Sequence, residues 1–212
     1  AIKNDIAIYA IHTNLDNVIS GVNGRIADKL GLIQQTILSE KDQALRKLFT
    51  FVPVDHAENV RNALFEAGGG QIGNYSECSF AAEGRGTFKA GEGADPFVGE
   101  LHKRHTENEI KLELVFPAYL QSALINALRL AHPYEEVAFD VVALSNTHPS
   151  IGSGVLGELT EPMEEQEFLR KVKSVFGIPV IRHTAFSGQA VKRVAVCGGA
   201  GSFLISKALA KG

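Results

Sequence analysis

Apolar positions run almost unbroken from Ile6 to Ile11 and then stop at His12, Thr13, Asn14 and Asp16. Such a run reads as a buried strand, with the polar positions in the turn beyond its end. Val22, Ile26, Leu30 and Ile33 recur at the spacing of one helical face, and Gly31 is placed to end that helix. Gly21 and Gly24 sit where a loop enters it. Lys41 to Lys47 is charged and reads as a linker.

From Leu48 to about Leu144 the pattern repeats. Phe51-Val52-Pro53 returns as Val115-Phe116-Pro117, and at the same offset Val60, Ala63, Leu64 and Ala67 match Leu124, Ala127, Leu128 and Ala131. Each half reads as a strand, a helix opened by proline, and a second strand, Gln71 to Phe80 in one half and Glu136 to Leu144 in the other. Two βαβ halves in tandem give the ferredoxin-like plan, an antiparallel sheet with both helices on one face. Between them Ala81 to Asn108 reads as a long Gly-rich loop, anchored by Phe88 and Phe97 or turned by them toward a partner subunit.

After a polar connector, Gly152-Ser153-Gly154-Val155-Leu156-Gly157 matches a dinucleotide fingerprint by letters only. No strand precedes it directly and Glu158 stands where a pyrophosphate would dock, so these glycines lead into a strand. A helix follows from Glu161-Pro162, with Phe168, Leu169, Val172 and Phe176 on its core face. Val191 to Cys197 is a last strand, then a Gly-rich turn, then a helix carrying Phe203, Leu204, Ala208 and Leu209. The expected architecture is an α/β domain in two parts, 1–45 and 147–212, interrupted by a ferredoxin-like insert over 46–146.

Composition narrows the function without naming it. A net charge of −3 and a pI near 6.2 give no bulk attraction to nucleic acid or anionic membrane. Two cysteines far apart suit a reducing compartment, here the cytoplasm, and no run is long enough to span a bilayer. His12 and Asp16, at the carboxyl end of a strand, are suitable ligands for Zn²⁺, Mn²⁺ or Fe²⁺, or alternatively cap the next segment. Gly199, Gly201 and Ser202 form either a tight turn or an anion site at a helix start. His132-Pro133-Tyr134-Glu135-Glu136 reads as a strand entrance rather than a His/Glu metal cluster.

Taken together, His12-Thr13-Asn14-Leu15-Asp16, Gly21-Val22-Asn23, Pro53-Val54-Asp55-His56, Gly73-Asn74-Tyr75, His132 to Glu136 and Val194 to Gly201 resemble one family. It is that of the proteins related to NGG-one interacting factor three, often labelled GTP cyclohydrolase I type 2 homologues, in the form with a PII-like or CutA-like insert. The resemblance implies two divalent metal ions (Zn, Fe or Mn) inside a toroidal homohexamer, with Asp16 a metal ligand and His12 beside the site. It also implies a His-His pair upstream and a His and Glu near the C-terminus, which these 212 residues do not contain, so both ends look cut. Gly24 stands where an acidic residue is frequent.

Two functions follow as expectations. One is a metal-dependent hydrolase of unnamed substrate, with the Gly199 to Ser202 turn holding a substrate anion. The other is a non-enzymatic metal-binding or regulatory assembly that takes a small-molecule ligand through its insert.

Overall fold

The computed structural model describes residues 2–212, and the chain divides into two compact units. One holds the residues up to Lys41 together with His148–Gly212; the other holds Asp42–Thr147. In chain order the elements are α1 (Val22–Leu30), β1 (Ile33–Glu40), β2 (Leu45–Pro53), α2 (Ala57–Glu66), β3 (Phe80–Lys89) and β4 (Arg104–Pro117). They continue with α3 (Gln121–Ala131), β5 (Phe139–Ala143), β6 (Gly152–Met163), α4 (Glu165–Phe176), β7 (Val191–Val196) and α5 (Ile205–Ala210). Among the described residues no helix is long and apolar enough to cross a membrane.

The Asp42–Thr147 unit is a four-stranded antiparallel sheet in the order β3-β4-β2-β5. Alternate side chains of β2 and β4, among them Leu48, Val52, Leu112, Leu114 and Phe116, face Val60 and Leu64 of α2 and Leu124 and Leu128 of α3. All nine are buried, which is the period of two along a strand meeting the period of 3.6 along a helix. Burying Phe116 alone is worth about 1.5–3 kcal/mol. The two halves match locally. β2 and β4 each end in proline, and each is followed by one 3-10 turn, Val54–His56 or Ala118–Leu120, before its helix.

Two expectations fail here. The second strand of the first half does not span Gln71 to Phe80; it starts at Phe80, and Ile72 and Tyr75 close a small turn instead. Half of the stretch expected to be a loop, Ala81 to Asn108, is strand: β3 pairs with β4 from Phe80↔Glu113 to Lys89↔Arg104, and residues 90–103 remain an irregular loop at the hairpin's end. Glycines and exposed polar residues depress the strand pattern of β3, and its pairing with β4 overrides that local preference. Phe88 and Phe97 both pack near Tyr134, with ring centroids 6.2 and 6.1 Å away, and so anchor the hairpin within the chain.

The other unit has a three-stranded antiparallel sheet, β1-β6-β7, with β6 central. Ala27 and Leu30 of α1 pack on Val155, Leu159, Val194 and Val196, with Phe168, Val172, Val175 and Phe176 of α4 beside them. α1 ends as expected at Gly31, whose φ of 70° lets its N–H reach the Ala27 and Asp28 carbonyls. Gly152 to Gly157 lie within β6. Ile33, expected on the helix face, opens β1, and Glu161-Pro162, expected at a helix start, still belong to β6. The largest departure is Ile6 to Ile11. It is irregular and exposed, Tyr9 at 82%, because no strand of the described chain lies beside it to satisfy its backbone.

Candidate metal centre

Asp16 lies in a 3-10 turn, Leu15–Asn17, that closes on the motif's own carbonyls. The Asp16 N–H donates to the Thr13 carbonyl at 3.2 Å, and the Asn17 side-chain amide donates to the same oxygen at 2.9 Å. The turn is tied from outside to β6 and to the segment before it: Ser153 Oγ donates to Asn17 Oδ1 at 2.8 Å, and the Ile19 N–H donates to the Ser150 carbonyl at 3.0 Å.

Asn23, in the first turn of α1, completes the frame. It is 1% exposed and its amide is used on both sides: Nδ2 donates to the Asp16 carbonyl at 2.8 Å, and Oδ1 accepts from the Gly198 N–H at 2.6 Å. One side chain thus joins the turn after residue 12 to the turn after β7, Asn23 and Gly198 being 175 residues apart in sequence. Two glycines allow it. A Cβ at Gly21 would collide with the Leu15 carbonyl, and one at Gly24 with the Ile19 carbonyl. Glycine at 24 therefore has a packing reason.

Cys197 ends this frame. Burial first, and then the neighbouring Asp16 carboxylate, push its thiol above the ordinary range, so it stays protonated rather than offering a thiolate. Asp16 is thus a half-buried oxygen donor beside a neutral thiol, on backbone fixed from both ends.

His12 is exposed in a bend and its ring makes no hydrogen bond among the described residues. Among those residues no three His, Cys, Asp or Glu side chains converge as a metal cluster. The groups present do not make a metal site by themselves; Asp16 has the chemistry of one ligand in a larger set. Gly199 takes a φ of 83°, and a Cβ at Gly201 would lie 2.9 Å from the Cys197 Cβ. The turn and its close packing therefore account for both glycines. Ser202 opens a 3-10 turn, Ser202–Leu204, ahead of α5.

His132 is no ligand either. Its Nδ1 accepts from the Tyr134 N–H at 3.1 Å, which leaves Nε2 to donate to the Phe51 carbonyl at 3.0 Å. Both ring nitrogens are occupied, and burial lowers the pKa below its ordinary value, so the imidazole is neutral. Asn23 is the functional candidate that pattern reading does not single out. Its signal is a polar residue between two glycines on a helix face that is otherwise apolar.

A family model described as Duf34/NIF3 (NGG1p interacting factor 3) matches residues 1–212. A Bacillus subtilis protein named GTP cyclohydrolase 1 type 2 homolog is 42% identical over 212 residues, and a Halalkalibacterium halodurans protein of the same name is 41% identical over 213. Both alignments take in the whole of this chain and 57% of the relative, so the chain spans little more than half their length. The crystal structure of a Bacillus cereus protein related to NIF3 superposes with a TM-score of 0.81 at 42% identity, covering 100% of this chain and 56% of that one.

Proposed function

The chain belongs to the Duf34/NIF3 family, and from that premise we propose that it forms part of a dinuclear divalent-metal-binding protein to which Asp16 contributes a ligand. The observation that carries the proposal is the frame around Asp16. A buried asparagine spent on holding that turn to the Gly198 backbone has a cost in ordering that a plain surface turn does not require. Such support is what a ligand needs to hold its geometry. His12 borders the site, and the remaining ligands come from outside these residues.

The reaction class that fits is metal-dependent hydrolysis, with GTP in no way singled out by these side chains. The assembly we propose is a toroidal homohexamer in the cytoplasm. Within it the Asp42–Thr147 unit serves as a ferredoxin-like, PII-like insert, since its strand order and one-sided helices fit that plan.

Elemental analysis of the intact purified protein tests the reading. About one to two transition-metal ions per chain are expected, as in two-metal sites, and Asp16→Ala should lose them while keeping the melting temperature of the metal-stripped parent. Equal metal in both proteins, or none in either, overturns the proposal. With metal loaded, hydrolysis of a phosphoester or cyclic amide should vanish in Asp16→Ala.

A further inference from the structure

In the Asp42–Thr147 unit the helices cover one face of the sheet, and the other face carries a cavity of about 710 Å³. Its floor is formed by Phe51 of β2, Ala82 of β3 and the bare backbone of β3 at Gly84 and Gly86, and Phe88 and Tyr134 stand at its wall. Glu109 of β4 opens into it while being only 8% exposed. Most of the side chain is covered while its unpartnered oxygen is open to the cavity, and a carboxylate stripped of part of its water is costly unless its charge is met.

The protein meets it halfway. Tyr134 Oη donates to Glu109 Oε1 at 3.1 Å, and burial together with that carboxylate raises the phenol's pKa, so the phenol stays a donor at neutral pH. The other oxygen, Oε2, lies over Gly86, where a Cβ would collide with it, and among the described residues no protein donor reaches it. Three cations, Arg85, Lys89 and Lys111, also line the cavity, and among the described residues none of them makes an ion pair with Glu109; the Lys111 ammonium sits over the Phe49 ring, 4.7 Å from its centroid.

The rim is built rather than loose. The Asp95 N–H donates to Glu135 Oε1 at 2.9 Å, which ties the hairpin loop to the segment carrying Tyr134. The Tyr134 ring is held by His132 at 5.0 Å, as well as by Phe88 and Phe97. A mostly covered carboxylate with one oxygen open to the cavity, an apolar floor and aromatic walls together specify a charge and a shape.

We propose that this cavity binds a small organic cation, a protonated amine or amidine on a flat apolar body, with Glu109 as its counter-ion. The inference is independent of any metal at Asp16. It assigns the insert a ligand class of its own, set by one oxygen that needs a donor and by rings that accept a cation.

Isothermal titration of the intact protein with benzamidine, and with benzamide as its neutral counterpart, tests this. Benzamidine should bind saturably and at least about tenfold more tightly than benzamide, the size expected of a hydrogen bond to a charged group. Glu109→Gln preserves shape and should erase that preference. Ala82→Leu, at an exposed strand position on the floor, should weaken both ligands and keeps the test open should Glu109→Gln fail to fold. Equal binding of the two ligands, a preference surviving in Glu109→Gln, or no saturable binding, as when a second copy covers the face, overturns the proposal.

Discussion

The two units solve the burial problem differently. In Asp42–Thr147 a sheet and two helices close over nine buried side chains, and the buried Thr50 Oγ1 donates to the Ala138 carbonyl at 3.0 Å. The unit built from the two ends of the sequence has a thinner core, and its helix α4 contributes only partly buried residues. It also leaves Ile6, Ile8 and Tyr9 in the open. What it has instead is a buried polar strut, Asn23, joining backbone far apart in sequence. The contrast separates two jobs: one unit spends its residues on packing, and the other spends some of them on fixing a turn that carries a carboxylate.

The largest effect that would break this contrast is a cavity in the packed unit. Phe116→Ala should cost about 3–5 kcal/mol, measured by denaturant unfolding. Hydrogen exchange should show the loss confined to Asp42–Thr147. Exchange rising equally in both units would mean that they do not hold separate cores.

Next comes the strut. Asn23→Ala leaves the Gly198 N–H without its partner inside the fold and should cost about 1–3 kcal/mol, read as a lower melting temperature of the unit containing α1. Metal content should fall with it, although Asn23 offers no ligand atom toward a metal. A variant as stable as the parent would reduce the strut to an ordinary contact.

The smallest expected effect is set by pH. Burial lowers the pKa of His132 in one unit and of His148 in the other. Both are neutral when folded, whereas the unfolded chain takes up protons below the ordinary value of 6.5. Their contribution to stability is therefore complete above pH 6.5 and is lost as pH falls toward the folded values. Urea midpoints between pH 7.5 and 5 should decline, and His132→Gln should flatten the decline for Asp42–Thr147 alone. A flat profile in the parent would contradict neutral imidazoles at His132 and His148.

The packed unit was the more legible one in sequence, and for a physical reason. Its repeat is carried by buried positions, Val52 and Phe116 in the strands and Val60, Leu64, Leu124 and Leu128 in the helices, whose spacing burial dictates. β3 escaped because its glycines and exposed side chains carry no burial signal; its place comes from pairing with β4. Ile6 to Ile11 misled for the opposite reason, an apolar run whose burial requires a neighbouring strand. Around Asp16 the motif was visible, but its coupling to Gly198 was not, since no local pattern relates two backbone groups on either side of a buried amide.

The most direct test of that coupling is the exchange rate of the Gly198 amide in the intact protein, with and without Asn23→Ala. The amide should be protected in the parent and exchange much faster in the variant, while amides of β2 and β4 are unchanged. An amide at Gly198 that exchanges at the same rate in both proteins would contradict the coupling, and Asp16 would then stand on an ordinary surface turn.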